Sequence, residues 1–334
     1  MTAAGQQPTE RESPRTPAAG QAPPLVTVAI CTRNRAAFLE KAVHSVLAQI
    51  HDDTEILIVD NASTDETPQV TAALVAANQC VTVRPELSPG IIFARNAALA
   101  SARGQFVLFL DDDEVAEPGW VAAYAEFLTH APSAQVACVG GPYIAQYESP
   151  PPAWLSPSYG SYDVGGGRRA LTGKTSLAGG NCAYRKEIAQ QAGGFAAGLM
   201  RYEDSELNGR LRAMGYEVWW LPTARVRHLI TPDRFRLKAQ ISLAIAEGRS
   251  VALLRLTTTR RGSRRILLWF GRLVAAPVQM LLQWAAAAFL LLARRPRLGM
   301  DLFLRGFRAA GLVWQLLKET RRIFWGKWSR SSVT

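Results

Sequence analysis

The sequence predicts an α/β fold: a twisted, mostly parallel sheet with helices on both faces, joined to a helical, membrane-associated C-terminal region. Three observations predict it. Short apolar, β-rich runs alternate with segments of helical period through the first 110 residues. Polar residues gather where several of those runs end. Residues 273–293 carry no charge over 21 positions, inside a strongly basic final third.

The elements follow in order. LVTVAIC (25–31) is a first buried strand, and RNRAAFLEKAVHSVLAQI places Leu39, Val43, Val46, Leu47 and Ile50 on one helical face. EILIVD (55–60) is a second strand that ends on Asp60. ETPQVTAALVAANQ reads as a second helix, VTVRP as a third strand and GIIFARNAALASARG as a third helix. QFVLFLDDDE is the fourth strand. A βαβαβαβ order of this kind winds into a parallel sheet by right-handed crossovers. Ligands then bind beyond the carboxyl ends of the strands. CTRN (31–34), DNAS (60–63) and DDDE (111–114) stand there. One such end alone reads better as a loop leaving the core; three on one edge read better as a site. Neither GxGxxG nor GxxxxGK[ST] occurs, which disfavours a dinucleotide fold and a P-loop.

Composition narrows the class. The four cysteines are widely spaced with no CxxC pair, against a zinc site or disulfide framework and consistent with reduced thiols. Residues 1–24 are rich in Pro, Ala, Gln and charge and lack an apolar core, so a disordered lead-in is expected rather than a secretory signal. From Arg225 onward 22 Lys/Arg stand against 4 Asp/Glu, while residues 1–224 are net acidic. The expected division is therefore 1–24 disordered, 25–232 catalytic, and 233–334 basic, helical and membrane-associated.

The stretches VTVAICTRNRAAFLEKAVHSVLAQ, EILIVDNASTDET, GIIFARNAALASARGQFVLFLDDDE, LAGGNCAYRKE and YEDSELNGRLRAMGYEVWWLPTARVRH, together and in that order, resemble a family-2 glycosyltransferase of the GT-A type. The resemblance runs from about Val26 to His228 and is nearest to bacterial enzymes of exopolysaccharide or glycolipid assembly. It implies that Thr32, Arg33 and Asn34 line the nucleoside pocket, with Asp60 at the base. Arg95 and Asn96 match a polar pair on the helix before the DxD strand. Asp111 would face the ribose and Asp113 the metal, Mg²⁺ or Mn²⁺. Gly180 and Asn181 would lie by the donor sugar and acceptor, and Glu203 beside them. Asp204 matches the catalytic base, and His228 a histidine near metal and diphosphate.

Physical chemistry asks for the same residue types. Four adjacent carboxylates repel, and each raises the cost of ionising its neighbour. A hard divalent cation with a nucleotide diphosphate makes such a cluster tolerable. Glu114 is then expected outside the ligand set, and Asp112 on the other sheet face or in solvent. A hydroxyl acceptor needs a general base, which Asp204 supplies, and one-step in-line attack inverts the anomeric carbon. Bland alternatives stand beside these. Glu203 and Asp204 can simply cap a helix and complement its dipole. GGN (179–181) can be only a turn, and His228 an ordinary packed histidine. Glu206 reads as an acceptor contact or a surface charge, and GGGRR with Lys174 as a mobile cationic loop or a solvated one. His44, His51 and His130 read as structural. Trp154, Trp219 and Trp220 read as packing residues, with Trp154 the best of them for sugar stacking.

In the last third, the uncharged 273–293 segment is a marginal span, flanked on both sides by basic residues. Residues 298–319 read as amphipathic, with Trp314, Trp325 and Trp328 as interfacial anchors. A single span would put ten Lys/Arg on the far side, which the positive-inside rule disfavours. Re-entrant or in-plane helices on the cytoplasmic face of the cell membrane, attracted by anionic lipids, are expected instead. The expected partners are a nucleotide-sugar donor, most simply a UDP-sugar, and a lipid-linked saccharide or glycolipid acceptor. Competing readings are an inactive membrane-bound scaffold, and a sugar nucleotidyltransferase, whose glycine-rich signature CTRNRAAF lacks. A nucleic-acid binder would explain the basicity but not the uncharged segment.

Overall fold

The computed structural model describes residues 24–50, 54–173, 175–258 and 263–325. The lead-in at 1–23, His51, Lys174 and Trp328 lie outside the described residues. The first half alternates as the sequence predicts: β1 (Val26–Thr32), α1 (Ala36–Leu47), β2 (Thr54–Asp60), α2 (Thr67–Ala77), β3 (Val81–Pro85), α3 (Ile91–Ser101) and β4 (Phe106–Leu110). Then come β5 (Glu114–Ala116), α4 (Trp120–Thr129), β6 (Val136–Gly140), β7 (Tyr143–Tyr147), β8 (Arg169–Ala170), β9 (Asn181–Arg185), α5 (Lys186–Gln191), α6 (Glu203–Ala213), β10 (Glu217–Trp220) and β11 (Val226–Ile230). A 3₁₀ turn at Pro232–Phe235 leads into α7 (Leu237–Thr258), α8 (Ser263–Leu292) and α9 (Pro296–Trp325).

Among the described residues the main sheet has the order β3-β2-β1-β4-β9-β6-β10-β8. β1 pairs in parallel with both β2 and β4, and β2 with β3. β9 runs antiparallel between β4 and β6. A smaller sheet, β5-β11-β7, stands beside the end of β4. Because the central strands are covered on both faces, they are apolar throughout rather than alternating. Val28, Ile30, Ile56 and Leu108 point to one core with Leu39, Trp120 and Phe127. Ala29, Leu57, Val59 and Phe109 point to the other, with Tyr184, Leu207 and Trp220.

Two differences from the expected elements bear on the site. β4 stops at Leu110 instead of running through the acids, and a turn at Asp111–Asp113 sends Glu114 into the second sheet. The turn separates carboxylates that a continuous strand would hold side by side. The second difference is α7, which local sequence pattern did not mark. Its Ser250 Oγ accepts the backbone N–H groups of Met200 (3.1 Å) and Arg201 (3.0 Å). Its Gln240 Nε2 donates to the Arg234 carbonyl at 2.7 Å. α7 and α9 approach closely because Gly248 and Gly311 face the other helix's backbone, where a Cβ would clash. α8 packs on α9 through Trp284, which stacks at 5.2 Å from Phe307.

Candidate active site

Three loops meet at the carboxyl edge of β1, β2 and β4. Asn34 adopts a left-handed backbone (φ 55) that suits asparagine. Its Oδ1 accepts the Thr64 N–H at 2.7 Å, and its own N–H donates to Ser63 Oγ at 3.0 Å. Asp60 caps the same loop by accepting the Ser63 N–H at 3.1 Å. The Thr32–Asn34 and Asp60–Thr64 segments are thus one cross-linked wall, and Arg33 stands exposed on it.

The four acids separate by environment. Asp111 bonds Arg95 Nη2 at 2.9 Å while 41% of its side chain stays exposed, open to a ligand. Asp112 is buried, contrary to expectation. It accepts from Thr32 Oγ1 at 2.8 Å and from Arg35 Nη1 at 3.0 Å. Burial pushes its carboxyl up to about 6, and the Asp113 charge adds to this against the pull of Arg35. Asp113, also buried, is held by Arg35 Nη1 at 2.6 Å and by Arg234 Nη2. Burial pushes its carboxyl up, but His228, Arg35 and Arg234 around it outweigh burial. The result lies well below the usual carboxylate range. Glu114 is 3% exposed, and burial with the Asp111 and Asp113 charges raises its carboxyl well above the ordinary value. Glu114 thus holds its proton more tightly than an ordinary carboxyl, which eases the crowding.

Arg95, 4% exposed, joins this cluster to α6. Its Nη1 bonds Glu203 Oε1 at 2.9 Å, and its Nη2 bonds Asp111. A Cβ at Gly180 would stand 2.6 Å from Asp111 Oδ2 and 2.8 Å from Glu114 Oε1, and one at Gly179 would meet the Arg95 guanidinium. The glycine pair is therefore needed for space. α6 begins after Tyr202, a non-glycine residue in the left-handed region (φ 65), a conformation of the kind that carries local strain. In the first turn, Asp204 Oδ1 accepts the Ser205 N–H at 2.5 Å. Burial and the adjacent Glu203 charge push its carboxyl up to about 6, against the pull of Arg95. That value suits a base working near neutrality.

Two residues expected to touch substrate are otherwise engaged. Asn181 is fully buried. Its Oδ1 accepts from Trp120 Nε1 and Tyr124 OH, both at 2.8 Å. Its Nδ2 donates to the carbonyls of Pro142 (2.9 Å) and Ala224 (2.8 Å). Asn96 spends its amide on the Phe195 backbone, donating at 2.9 Å and accepting at 2.8 Å. Both position the site from behind. Glu206 pairs with Arg210 on its own helix at 2.6 Å. Trp154 packs on the Leu155, Ile230 and Phe235 cluster, Trp219 against Phe127 and Trp220 against Tyr162. Sequence reasoning missed Arg35 and Arg234. Arg35 lies one residue past the quoted CTRN loop, and Arg234 is brought to Asp113 only by tertiary packing.

A divalent ion fits the pair Asp113 and His228 on one geometric ground. The β5–β11 pairing sets His228 opposite Glu114 and beside Asp113. Its Nδ1 lies 2.9 Å from the Gly160 carbonyl, an acceptor, so Nδ1 carries the proton. Nε2 faces Asp113 Oδ2 at 3.7 Å. An imidazole lone pair and a carboxylate aimed at one another share a cation or a proton, and a carbonyl-anchored histidine is the usual metal ligand. Among the described residues no group of three or more His, Cys, Asp or Glu is gathered around one point. Two protein ligands plus substrate phosphates suffice for Mg²⁺-type sites.

Comparisons with known proteins bear on the family and the fold. The family description "Glycosyl transferase family 2" matches residues 27–193. A Bacillus subtilis protein named as a teichuronic acid biosynthesis glycosyltransferase is 39% identical over 92 residues, 27% of this chain and 36% of its own. The chain thus spans about a third of that relative's length. A Haloferax volcanii protein named glucosyl-dolichyl phosphate glucuronosyltransferase is 23% identical over 217 residues, 61% of this chain and 68% of its own. Among solved structures, a Pyrobaculum calidifontis mannosyltransferase in complex with GDP-Man and Mn²⁺ superposes with TM-score 0.60. It is 18% identical and covers 89% of this chain and 88% of that one.

Proposed function

Since the chain belongs to glycosyl transferase family 2 and has the GT-A fold, we propose that it is an inverting transferase moving a sugar from a nucleotide-sugar, most simply a UDP-sugar, to a hydroxyl of a lipid-linked saccharide or glycolipid. The observation that carries the reading is the Arg95 bridge. One buried guanidinium fixes the Asp111 turn and the first turn of α6 on a single edge. Asp204 follows the bridged Glu203 on that turn.

The nucleoside is placed along Thr32–Asn34 and Asp60, and Asp111 accepts from a ribose hydroxyl. Arg35 and Arg234 lie where the diphosphate arrives and exchange Asp113 for phosphate oxygens. A Mg²⁺ or Mn²⁺ ion, held by Asp113 and His228 with the donor's phosphates, would neutralise charge on the leaving group. The donor sugar lies beside Gly179–Gly180, next to Asp111 and Arg95. Asp204 takes the acceptor's proton as the acceptor oxygen bonds to the anomeric carbon. The bond from that carbon to the diphosphate oxygen breaks, its electron pair leaving with the nucleoside diphosphate. Attack opposite the leaving group inverts the centre. The lipid-linked acceptor is supported by the name of the Haloferax relative and by the apolar helix at Leu273–Leu292, long enough to enter a bilayer.

The test is donor binding and slow donor hydrolysis in detergent with UDP-, GDP- and dTDP-sugars, with Mg²⁺, Mn²⁺ or EDTA. One nucleotide-sugar should raise the melting temperature in a metal-dependent way. Asp113→Ala should lose that shift, while Asp204→Asn should keep it and lose turnover. A chain that no nucleotide-sugar stabilises under any condition is not a transferase.

A further inference from the structure

Away from the strand-end site, α7, α8 and α9 enclose a cavity of about 510 Å³. Its walls include Arg255, Arg305, Arg308, Gln279 and Gln283, closed at the bottom by Gly248 and small or aliphatic side chains. A soluble helical bundle fills such a space with Leu and Ile. This one lines it with three guanidinium groups and two amides. Arg308 pairs with Glu247 at 2.5 Å and Arg305 with the exposed Asp301 at 2.7 Å. The amide carbonyl Oε1 of Gln283 is buried without a hydrogen-bond partner among the described residues and can accept from a ligand hydroxyl. Three arginines against Glu247 and Asp301 leave the lining net cationic.

Its surroundings choose the ligand. On α8, Gln279 and Gln283 lie about 120° around the helix from a stripe of exposed apolar side chains, Val274, Val278, Leu281, Leu282 and Phe289. A ligand entering here meets an apolar surface on one side and guanidinium donors on the next. Arginine forks match phosphate oxygens, and basic pockets between membrane helices take phosphorylated headgroups. We propose that this cavity binds the phosphate of a lipid headgroup, with the lipid tail lying along the apolar stripe of α8. The helix α7 that lines the cavity also contacts the segment before α6. Ser250, half a turn past Gly248, holds the backbone of Met200 and Arg201 just before Asp204. That such a lipid is the sugar acceptor rests on the transferase reading; the binding itself does not.

The experiment uses the full chain in uncharged detergent and four probes: farnesyl phosphate, short-chain phosphatidylglycerol, farnesol and inorganic phosphate. Binding is read from the melting temperature and from tryptophan fluorescence. Farnesyl phosphate or phosphatidylglycerol should bind saturably, with farnesol and inorganic phosphate at least tenfold weaker. Preference for farnesyl phosphate marks a lipid-linked acceptor, and equal binding marks a membrane phospholipid; both support the site. Arg305→Gln, at an exposed position, should weaken binding about tenfold. Gln283→Leu removes a buried amide without touching a charge and should weaken it as well. Both variants should keep the wild-type melting shift with the nucleotide-sugar donor. Binding of farnesol as tight as farnesyl phosphate, inorganic phosphate as tight as either lipid, or unchanged affinity in both variants would overturn the proposal. A donor that fails to bind would instead count against the transferase reading alone.

Discussion

At the scale of single residues, Asp204 carries two consequences of one environment. Its carboxyl is raised from an ordinary value of 3.8 to about 6 by burial and by Glu203, so the folded protein holds that proton more tightly than the unfolded chain. Transfer should therefore rise with pH along a limb near 6. The sign for stability is opposite. The raised value favours the folded state at low pH, and that contribution is lost as pH rises through about 6. Asp204→Asn keeps the acceptor for the Ser205 N–H but cannot ionise. It should abolish transfer and yet raise stability at pH 7.5 by about 1–2 kcal/mol, less than the full shift because the side chain is partly solvated. Urea unfolding at pH 4 and pH 7.5 checks this: the gain should vanish at pH 4. A variant less stable than the parent at both pH values would remove Asp204 from its assigned environment.

Elements decide which polar residues are free for chemistry. Asn181 opens β9 directly after the glycine pair, and in sequence it looks like part of a binding loop. In the fold its amide bolts α4 to two loop carbonyls. Asn181→Ala would strand an indole N–H, a phenol and two carbonyls in the core, costing roughly 3–5 kcal/mol. Calorimetry should therefore show a large drop in melting temperature for Asn181→Ala. A raised KM at unchanged stability would restore the residue to the substrate side. The same contrast explains what the sequence could reveal. β1 to β4 and their helices were legible because strand and helix periods are local, and Asp60, Asp111 and Asp113 were legible because they sit at strand ends. β9, inserted antiparallel between β4 and β6, is not local; nor is the approach of Arg234 to Asp113 across 121 residues. The burial of Asp112 and Glu114 was not legible, because strand alternation was extended past Leu110, where a turn takes over.

At the scale of the whole molecule, the question is whether the basic third meets a bilayer, and in what orientation. α8 is long and apolar enough to cross one, and only 11% of its Leu273–Leu292 window is buried. Yet α9 packs along both α7 and α8, and α7 holds the Met200–Arg201 backbone beside Asp204. A spanning α8 would draw α9, with Asp301, Arg305 and Arg308, into hydrocarbon beside it, and an ionised side chain there costs about 2.5–3.5 kcal/mol. An in-plane α8 avoids that cost and keeps every basic residue on one face. Two attractions then act together. Each exposed side chain in the apolar stripe contributes about 1.5–3 kcal/mol when buried, and each cation near an anionic surface about 1 kcal/mol. Only the second is screened by salt. Flotation with phosphatidylglycerol vesicles should therefore show weakened but persistent binding between 0.1 and 0.5 M NaCl for the parent chain. Leu281→Glu with Leu282→Glu should float at low salt and detach at high salt, since the cations remain when the stripe is broken. If the parent chain detaches fully at high salt, apolar insertion makes no contribution, and the apolar face of α8 covers something other than lipid. If the double variant stays bound at high salt, the docking surface lies elsewhere on the chain.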